Sequence, residues 1–244
     1  MDLSIVIPCF NEQDNVELLA AGLLPVLAEL GRDRSVELLF VDDGSTDRTA
    51  DLLESTFDSA RVIRHRTNRG LGGALRTGFA QAQGDVIVCC DSDSTYSYTL
   101  IPQLLDLLEP GVDIVTGSCY HPLGSVENVP AFRIFFSKTA SFMYRLLLRW
   151  DVHTYTCVFR AYRRRVIETT QFESNDFLSV TELLANAMCM GYAVRELPCT
   201  LRVRRYGQSK AKVSRIIGLH LRFQWQLVRR RASSTASQLE RTSM

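Results

Sequence analysis

The sequence has only four histidines, and its cysteines show no pairing typical of a metal site or a disulfide framework. The histidines form no obvious catalytic arrangement. The seven cysteines are odd in number and include no Cys-X-X-Cys pair, so free thiols in a reduced core are expected. Cys89, Cys90 and Cys189 lie in apolar runs. This use of cysteine indicates a cytosolic compartment.

Long apolar runs, a leader sequence and an excess of one charge are also missing. No stretch approaches the ~20 apolar residues needed to span a bilayer. The first predicted strand starts at residue 3, so no signal peptide is expected. The formal net charge of +1 gives no general attraction to nucleic acid, and no nucleic-acid partner is expected. No Gly-X-Gly-X-X-Gly follows the first strand, which argues against a Rossmann dehydrogenase.

The most informative feature that is present is the acidic triplet Asp91-Ser92-Asp93, which follows an apolar run at 85–90. Such a run predicts a buried strand, and open α/β sheets bind ligands at the carboxyl ends of their strands. Two carboxylates this close repel each other unless a cation neutralises them. Oxygen donors suit Mg²⁺ or Mn²⁺, which can bridge a nucleotide diphosphate. A solvated surface turn is the alternative, because Asp-X-Asp is a common triplet.

Strands and helices alternate along the first half of the chain, which predicts a mostly parallel sheet covered by helices on both faces. Acidic residues come at the ends of two of these strands. Asp42 and Asp43 follow the second strand, and Asp91 and Asp93 follow the fourth, so the four carboxylates should converge. The predicted strands cover residues 3–8, 36–41, 61–64, 85–90 and 112–117, with helices near 16–27, from 47 onward, at 75–83 and at 100–108.

Glycines cluster just before the third predicted helix, at Gly70, Gly72 and Gly73. Glycine permits a tight turn there. A turn that leads into the amino end of a helix favours an anion, so this segment is a second candidate for contact with a phosphate.

Four segments of the first half resemble, in order and in spacing, the motifs of family 2 glycosyltransferases with a GT-A fold. The second half resembles the branch of polyprenol-phosphate, or dolichol-phosphate, mannosyltransferases, and the resemblance extends from residue 3 to about 212. The first-half segments are residues 5–12, 41–49, 68–74 and 91–93, and the second-half segments are 159–164, Glu182, 191–192, 196–198 and 204–210.

The resemblance implies a single α/β domain of GT-A type with a mostly parallel, Rossmann-like sheet. It implies transfer of a hexose, with mannose favoured, from a nucleotide-diphosphate sugar to a polyprenyl phosphate, with Mg²⁺ or Mn²⁺ and with inversion. GDP-mannose is the favoured donor. A transferase that moves glucose or N-acetylglucosamine from UDP to another lipid or a saccharide is an open alternative. A non-catalytic scaffold subunit that binds nucleotide sugars is another, although the intact Asp91 and Asp93 argue against it.

The same resemblance assigns roles to individual residues. Asp91 and Asp93 are the catalytic carboxylates and metal ligands, and Thr95 stands where the family often has a third ligand, a glutamine. The expected nucleotide-sugar contacts are Pro8, Phe10, Glu12, Asp42, Asp43 and Asp91, and the expected contacts to the acceptor phosphate are Arg133, Ser137, Arg204 and Lys210.

These residue types suit the expected ligands. Carboxylates accept hydrogen bonds from ribose hydroxyls and base N–H groups, and arginine binds phosphate bidentately. Structural roles are the alternatives: Glu12 could stabilise a helix start, Asp43 could stabilise a turn, and each arginine could be solvated. A lipid phosphate is ionised near neutral pH, because the second pKa of a phosphate monoester is about 6. It can therefore attack without a general base.

The chain departs from the mannosyltransferase pattern in three places, and the first of them is the run Asp93-Ser94-Thr95-Tyr96 after Asp91. The family's Gly-Ser-Arg after the fifth strand reads Gly117-Ser118-Cys119, so cysteine replaces one acceptor arginine. The family's Asp-X-Thr reads Thr154-Tyr155-Thr156.

Two basic and apolar segments are suited to a membrane surface, residues 131–150 and 210–231. Ordinary helices packed on the sheet or on a partner subunit are the alternative. We therefore expect a GT-A domain at 1–212, a basic amphipathic interfacial helix at 213–231 and a disordered tail at 232–244. The protein would lie peripherally on the cytosolic face of a membrane, and a separate membrane-anchoring subunit is an open alternative.

Overall fold

The computed structural model of the protein describes residues 1–148, 151–204, 206 and 213–242. The strands are β1 (Leu3–Cys9), β2 (Val36–Asp42), β3 (Arg61–Arg64), β4 (Val86–Cys89), β5 (Ile114–Ser118), β6 (Ser125–Glu127), β7 (Arg160–Arg163), β8 (Val194–Pro198) and β9 (Thr200–Arg202). The helices are α1 (Val16–Leu30), α2 (Thr49–Thr56), α3 (Gly70–Gln81), α4 (Ile101–Asp106), α5 (Ala131–Leu148), α6 (Arg164–Thr169), α7 (Leu178–Cys189) and α8 (Val213–Thr242).

A seven-stranded sheet forms the centre of the molecule, in the order β3-β2-β1-β4-β7-β5-β8. Neighbouring strands run parallel except at β7, which is antiparallel to both β4 and β5. β6 and β9 form a separate parallel pair. The mostly parallel sheet predicted from the alternating elements is confirmed, and the five predicted strands appear as β1 to β5 with ends that differ by at most two residues.

Helices cover both faces because residues of β1 alternate between two apolar cores. Ile5 and Ile7 pack in the core that contains residues of α1, and Val6 packs in the core that contains residues of α3 and α7. Gly78 of α3 lies close to Val6, since a Cβ atom at residue 78 would come within 2.3 Å of Val6 Cγ1. Only glycine allows this approach, and it brings α3 directly onto the sheet.

The glycine cluster lies inside α3, which begins at Gly70 rather than near residue 75 as predicted. A Cβ at Gly72 would lie 1.9 Å from the carbonyl oxygen of Ser174, so the glycines let α3 pack against the loop before α7. The Gly70 N–H donates to Asn68 Oδ1 at 3.1 Å, and the Gly72 N–H donates to the Asn175 carbonyl at 3.0 Å. These two donors bind the protein itself, so close packing explains the cluster better than the expected anion contact.

The two segments suited to a membrane surface form α5 and α8, which pack against each other. The backbone of α8 continues to Thr242, where the composition predicted a disordered tail at 232–244. Alanine, glutamine, leucine, glutamate and arginine in this stretch are good helix formers, which explains the continuation. Within the described residues, the structure has no helix of sufficient length and hydropathy to cross a membrane.

The cysteines are free, as expected, and six of the seven are buried. Cys189 is the exception to the prediction of core thiols, because it is exposed at the end of α7.

Candidate active site

The carboxyl ends of β1 and β2 lie side by side and bring two predicted donor-binding segments together. Cys9 pairs with Asp42 in the parallel ladder, and the Asp43 N–H donates to the Cys9 carbonyl at 2.8 Å. Pro8 directly precedes Cys9, the last residue of β1, and Phe10 directly follows it. The structure therefore places Pro8 and Phe10 beside the two acidic residues, as strand order alone predicts.

The loop after β1 is fixed by hydrogen bonds to the loop after β2. Asn11 adopts a left-handed backbone with φ of 53°, which asparagine tolerates better than most residues. Its N–H donates to Ser45 Oγ at 2.8 Å, and its Oδ1 accepts from the Thr46 N–H at 2.7 Å. The Glu12 N–H donates to Thr49 Oγ1 at 2.8 Å. The backbone that carries Glu12 is thus held against β2 before any ligand binds.

Asp42 and Asp43 are both buried, but their carboxylates differ in what they contact. Asp43 Oδ1 lies 2.7 Å from His65 Nδ1 and accepts from the Arg69 N–H at 2.9 Å. His65 in turn contacts Thr77 Oγ1 through Nε2 at 2.9 Å. Asp42 Oδ1 is buried without a hydrogen-bond partner among the described residues. A buried oxygen without a donor is costly, so Asp42 is the better candidate to accept a ligand N–H or O–H.

Asp91 and Asp93 follow β4, and a tight turn presents them to the same edge of the sheet. Ser94 has a φ of 57°, an uncommon conformation that reverses the chain just after Asp93. The Asp91 carbonyl accepts from the Tyr98 hydroxyl at 2.8 Å, and Asp93 Oδ1 accepts from the Thr95 N–H at 3.2 Å. These bonds hold the turn in place and leave Asp93 Oδ2 for a contact with another residue.

Arg204 approaches this acidic pair from the far end of the chain. Its Nη2 donates to Asp93 Oδ2 at 2.6 Å, and its Nη1 lies 3.7 Å from Glu12 Oε1. Burial and then the charge of Asp93 raise the pKa of Asp91 above its ordinary value, and the charge of Arg204 acts in the opposite direction. The site therefore holds three clustered carboxylates and one guanidinium.

A divalent metal ion fits this set of donors when it is shared with a ligand. Among the described residues, no group of three or more His, Cys, Asp or Glu side chains could hold a metal by itself. Asp91 and Asp93 offer two carboxylates, and Mg²⁺ is often bound by one or two carboxylates together with substrate phosphates. Thr95 lines the same cavity as the two carboxylates, and its backbone N–H donates to Asp93 Oδ1 at 3.2 Å, so this residue adjoins the acidic pair.

A cavity of about 380 Å³ runs from Asp91 and Asp93 to the space between α5 and α8, and most of its lining is apolar. Arg133 and Ser137 of α5 are among the residues that line it. Arg133 Nε is buried without a hydrogen-bond partner among the described residues, and Ser137 Oγ lies 2.6 Å from Thr156 Oγ1. The apolar end is lined by Ile134 and Met143 of α5 and by Ile216, Ile217 and Leu221 of α8.

The arginines of the segment 159–164 have structural contacts that the sequence did not indicate. Arg160 is fully buried, and it donates to Thr116 Oγ1 at 2.9 Å, to the Tyr155 carbonyl at 2.6 Å and to the Val180 carbonyl. Arg163 donates to the carbonyl of Val112 at 2.7 Å. These arginines connect β7 to its surroundings and do not line the cavity described above.

The histidines are engaged in contacts within the protein. His65 binds Asp43, as described above, and His153 Nδ1 lies 2.6 Å from Glu196 Oε2. His220 lines the cavity and contacts the Tyr144 hydroxyl through Nδ1 at 3.0 Å. Burial lowers the pKa of His220 to about 4, so this ring is neutral near pH 7. The position of His65 behind Asp43 was missed, because no local pattern links residues of two different loops.

The predicted site residues therefore fall into three neighbouring sets. Lys210 lies outside the described residues. Glu12, Asp91, Asp93 and Arg204 share one charged cluster, Thr95, Arg133 and Ser137 line the cavity that opens from it, and Pro8, Phe10, Asp42 and Asp43 lie at the adjacent strand ends.

Comparison with curated proteins finds relatives that share most of this chain. A polyprenol monophosphomannose synthase of Mycolicibacterium smegmatis is 34% identical over 222 residues, which cover 87% of this chain and 82% of that protein. A dolichol-phosphate mannosyltransferase of Pyrococcus furiosus is 35% identical over 87% of this chain and 60% of its own length. An undecaprenyl-phosphate 4-deoxy-4-formamido-L-arabinose transferase of Pectobacterium carotovorum is 30% identical over 89% of this chain and 65% of its own length. The chain thus spans less than two thirds of the last two relatives.

Solved structures show the same fold at lower sequence identity. Glucosyl-3-phosphoglycerate synthase from Mycobacterium tuberculosis, crystallised with Mn²⁺, UDP and glucosyl-3-phosphoglycerate, superposes with a TM-score of 0.70 at 22% identity. The match covers 91% of this chain and 79% of that one. The family model described as glycosyl transferase family 2 matches residues 4–170. The parallel sheet, the acidic pair after β4 and these relatives agree with that match. The chain therefore belongs to glycosyl transferase family 2 and has a GT-A fold.

Proposed function

We propose that this enzyme transfers a hexose, mannose first, from a nucleotide-diphosphate sugar to a polyprenyl phosphate, with inversion at the anomeric carbon. The names of the three relatives support the acceptor more strongly than the sugar. Each name contains a polyprenol, a dolichol phosphate or an undecaprenyl phosphate, whereas the sugar is mannose in two and an arabinose derivative in the third.

The observation that carries the proposal is the shape and chemistry of the cavity. It joins the carboxylates of Asp91 and Asp93 to an apolar space between α5 and α8, and Arg133 is among the residues that line it. The unpartnered Nε of Arg133 is a charged donor in a buried place, which suits a phosphate. A polyprenyl phosphate has an anionic head and an apolar tail, which match the charged and the apolar parts of this cavity.

The donor would lie on the other side of the acidic pair, against the ends of β1 and β2. Asp42, with its unpartnered buried Oδ1, would accept a hydrogen bond from the nucleoside, and Pro8 and Phe10 would contact its rings. Asp91 and Asp93 would hold Mg²⁺ or Mn²⁺ together with the diphosphate. When bound, that ion would neutralise the charge that develops on the leaving diphosphate. GDP-mannose is the favoured donor, and a UDP-sugar is the alternative.

The reaction needs no proton to be removed from the acceptor. A phosphate oxygen held by Arg133 and Ser137 would attack the anomeric carbon on the face opposite the diphosphate. The new carbon–oxygen bond forms as the bond to the diphosphate oxygen breaks, which inverts the configuration. A phosphate monoester is ionised near neutral pH, and the neutral His220 in the cavity is engaged with Tyr144. The engaged histidines are therefore consistent with this chemistry.

The direct experiment supplies purified protein with Mn²⁺, a short-chain polyprenyl phosphate and one donor at a time. The donors are GDP-mannose, UDP-glucose and UDP-N-acetylglucosamine, and products are identified by mass. We expect a mannosyl-phosphoryl-polyprenol from GDP-mannose. If product formed only from a UDP-sugar, the proposed donor would be wrong and the proposed acceptor would stand. Transfer to a saccharide but not to polyprenyl phosphate would contradict the proposal.

We also propose that α5 and α8 place the enzyme on the cytosolic surface of an anionic membrane. Phe135 and Leu146 of α5 and Leu221 and Trp225 of α8 are more than half exposed, with relative accessibilities of 57–65%. Arg229 lies over the Trp225 ring at 4.6 Å. Apolar and aromatic residues flanked by cations are typical of interfacial helices. The inner face of α8 packs on the protein through the buried Phe223 and Leu227, so only the outer face is available.

Replacing Trp225 and Val228, which are exposed on α8 and lie outside the cavity lining, together by serine should weaken binding to phosphatidylglycerol vesicles by about tenfold or more. Each buried apolar side chain contributes roughly 1.5–3 kcal/mol, and both residues lie on the outer face, so the fold should persist. High salt should also weaken binding of the unchanged protein, because each basic residue near the surface contributes about 1 kcal/mol. Vesicle sedimentation measures both effects.

The matched control for the vesicle experiment is Leu24→Ser, which removes an exposed leucine from α1. Equal sedimentation of the Trp225 and Val228 double variant and the unchanged protein would refute the assignment of α8. If the unchanged protein itself did not sediment, a separate membrane-anchoring subunit would become the better explanation.

A further inference from the structure

Arg204 occupies the position of a cation within the acidic cluster. Its Nη2 donates to Asp93 Oδ2 at 2.6 Å, and its Nη1 lies 3.7 Å from Glu12 Oε1. The Asp93 and Glu12 side chains are 7% and 12% exposed, so water screens their charges little. The guanidinium therefore compensates carboxylates that would otherwise repel one another in a nearly dry place.

A metal ion bound by Asp91 and Asp93 would compete with Arg204 for the same carboxylate. Asp93 Oδ1 already accepts from the Thr95 N–H, and Oδ2 is the oxygen that Arg204 contacts. A divalent cation brought next to the guanidinium would also repel it. Asp93 Oδ2 therefore cannot bind the metal ion and the Arg204 guanidinium equally well at the same time.

The same arginine lines the cavity in which the acceptor phosphate is expected. Arg204 and Arg133 both line this cavity, as Asp91 and Asp93 do. The Arg204 side chain is 22% exposed, so it is not enclosed by the protein on every side. A guanidinium displaced from Asp93 can therefore turn towards an anion in this cavity without unfolding its surroundings.

We propose that Arg204 is an exchangeable counter-ion that couples the two substrate sites, an inference that rests on the proposed function. It neutralises Asp93 while the donor site holds no metal. When the metal arrives with a nucleotide diphosphate, Arg204 leaves Asp93 and binds the acceptor phosphate. Because coupling between two sites is reciprocal, the acceptor phosphate must then tighten the binding of metal and nucleotide.

Removing Arg204 should therefore tighten metal binding, although the residue itself is needed for transfer. We expect Arg204→Gln to bind Mn²⁺ with GDP, or Mn²⁺ with UDP, about tenfold more tightly than the unchanged protein when no acceptor is present. In the unchanged protein, a short-chain polyprenyl phosphate should tighten the same binding about fivefold or more, a typical coupling. The variant should lose this second effect. Titration calorimetry and the electron paramagnetic resonance of free Mn²⁺ measure both.

Arg195→Gln is the matched control, because Arg195 pairs with Glu109 at 2.8 Å on β8, outside the cavity lining. This control should behave as the unchanged protein does. Equal or weaker Mn²⁺ binding by Arg204→Gln would overturn the inference. If that variant does not fold, as judged by thermal melting, the unchanged protein decides: no tightening by polyprenyl phosphate would also overturn it. Sugar transfer by an unchanged protein without such coupling would refute the inference and leave the proposed function intact.

Discussion

Asp91→Asn and Asp93→Asn are each expected to lower the rate of sugar transfer by about a thousandfold or more. Each change removes one charged ligand of the proposed metal and almost no volume. Neutralising a leaving diphosphate is worth several kcal/mol, and a thousandfold loss corresponds to about 4 kcal/mol. Excess chelator should reduce the unchanged protein to the same level. The measurement is the initial rate of product formation at saturating donor and acceptor.

The two variants should differ in stability even though both are inactive. Asp91 is a carboxylate whose pKa is raised by burial and by Asp93, so its replacement removes a repulsion and should not lower the Tm. Asp93 accepts a charge-assisted hydrogen bond from Arg204, and losing a hydrogen bond between charged groups costs roughly 1.5–3 kcal/mol. Asp93→Asn should therefore unfold at a lower temperature than Asp91→Asn.

Asp58→Asn provides the control, because Asp58 is exposed in the loop between α2 and β3. It should retain both activity and Tm. Full transfer in excess chelator, or an active Asp91→Asn, would show that the acidic pair does not act through a metal.

The donor side of the site was predictable because each of its residues follows a strongly apolar strand. β1, β2 and β4 are parallel neighbours that end at Cys9, Asp42 and Cys89, and Asp91 lies two residues after the end of β4. Parallel strands place their carboxyl ends at one edge, so the convergence of these residues follows from the pattern alone. No knowledge of side-chain contacts is needed for that step.

The antiparallel strand β7 was not predictable in this way. Its four residues include Arg160 and Arg163, and two arginines in so short a stretch hide the apolar pattern of a central strand. Arg160 is buried only because Thr116, Tyr155 and Val180 supply acceptors from three other places in the chain. Burial of a charge depends on partners that local sequence does not reveal.

Contacts between distant residues explain the other differences. Arg204 and Asp93 are 111 residues apart, so a sequence motif indicates that both are functional but not that they touch. The glycines of α3 show the converse. Their local pattern is typical of a phosphate-binding turn, whereas Gly72 is required by the carbonyl of Ser174 on a distant loop. A local sequence pattern suggests a role for a residue. Only its contacts in the folded protein show whether that role is ligand binding or packing.

The acceptor side depends on Arg133, and Arg133→Gln is expected to raise the KM for polyprenyl phosphate by about ten- to a hundredfold. Its Nε is buried without a partner among the described residues, and a phosphate oxygen would satisfy it. A hydrogen bond between ionic groups contributes roughly 1.5–3 kcal/mol, which gives this range. The KM for the nucleotide sugar should change little, because Arg133 is on α5, whereas the proposed nucleoside contacts lie at the ends of β1 and β2.

Ser137→Ala should give a smaller change in the same direction. Ser137 Oγ already lies 2.6 Å from Thr156 Oγ1, and a neutral hydroxyl contributes less to phosphate binding than a guanidinium. We therefore expect a larger increase in the KM for lipid from Arg133→Gln than from Ser137→Ala, because only Arg133 is charged. It can be measured by varying the lipid concentration at saturating donor.

Arg145→Gln is the control on the same helix. Arg145 pairs with Asp151 at 2.9 Å and is not part of the cavity lining, so its loss should leave both KM values unchanged. The decisive quantity is the ratio of the two KM changes in Arg133→Gln. Equal increases for lipid phosphate and nucleotide sugar would place Arg133 on the donor diphosphate, and no increase for either would show that its buried Nε is satisfied by water. A selective increase for the lipid would locate the acceptor phosphate beside α5, where the apolar space between α5 and α8 can hold the polyprenyl chain.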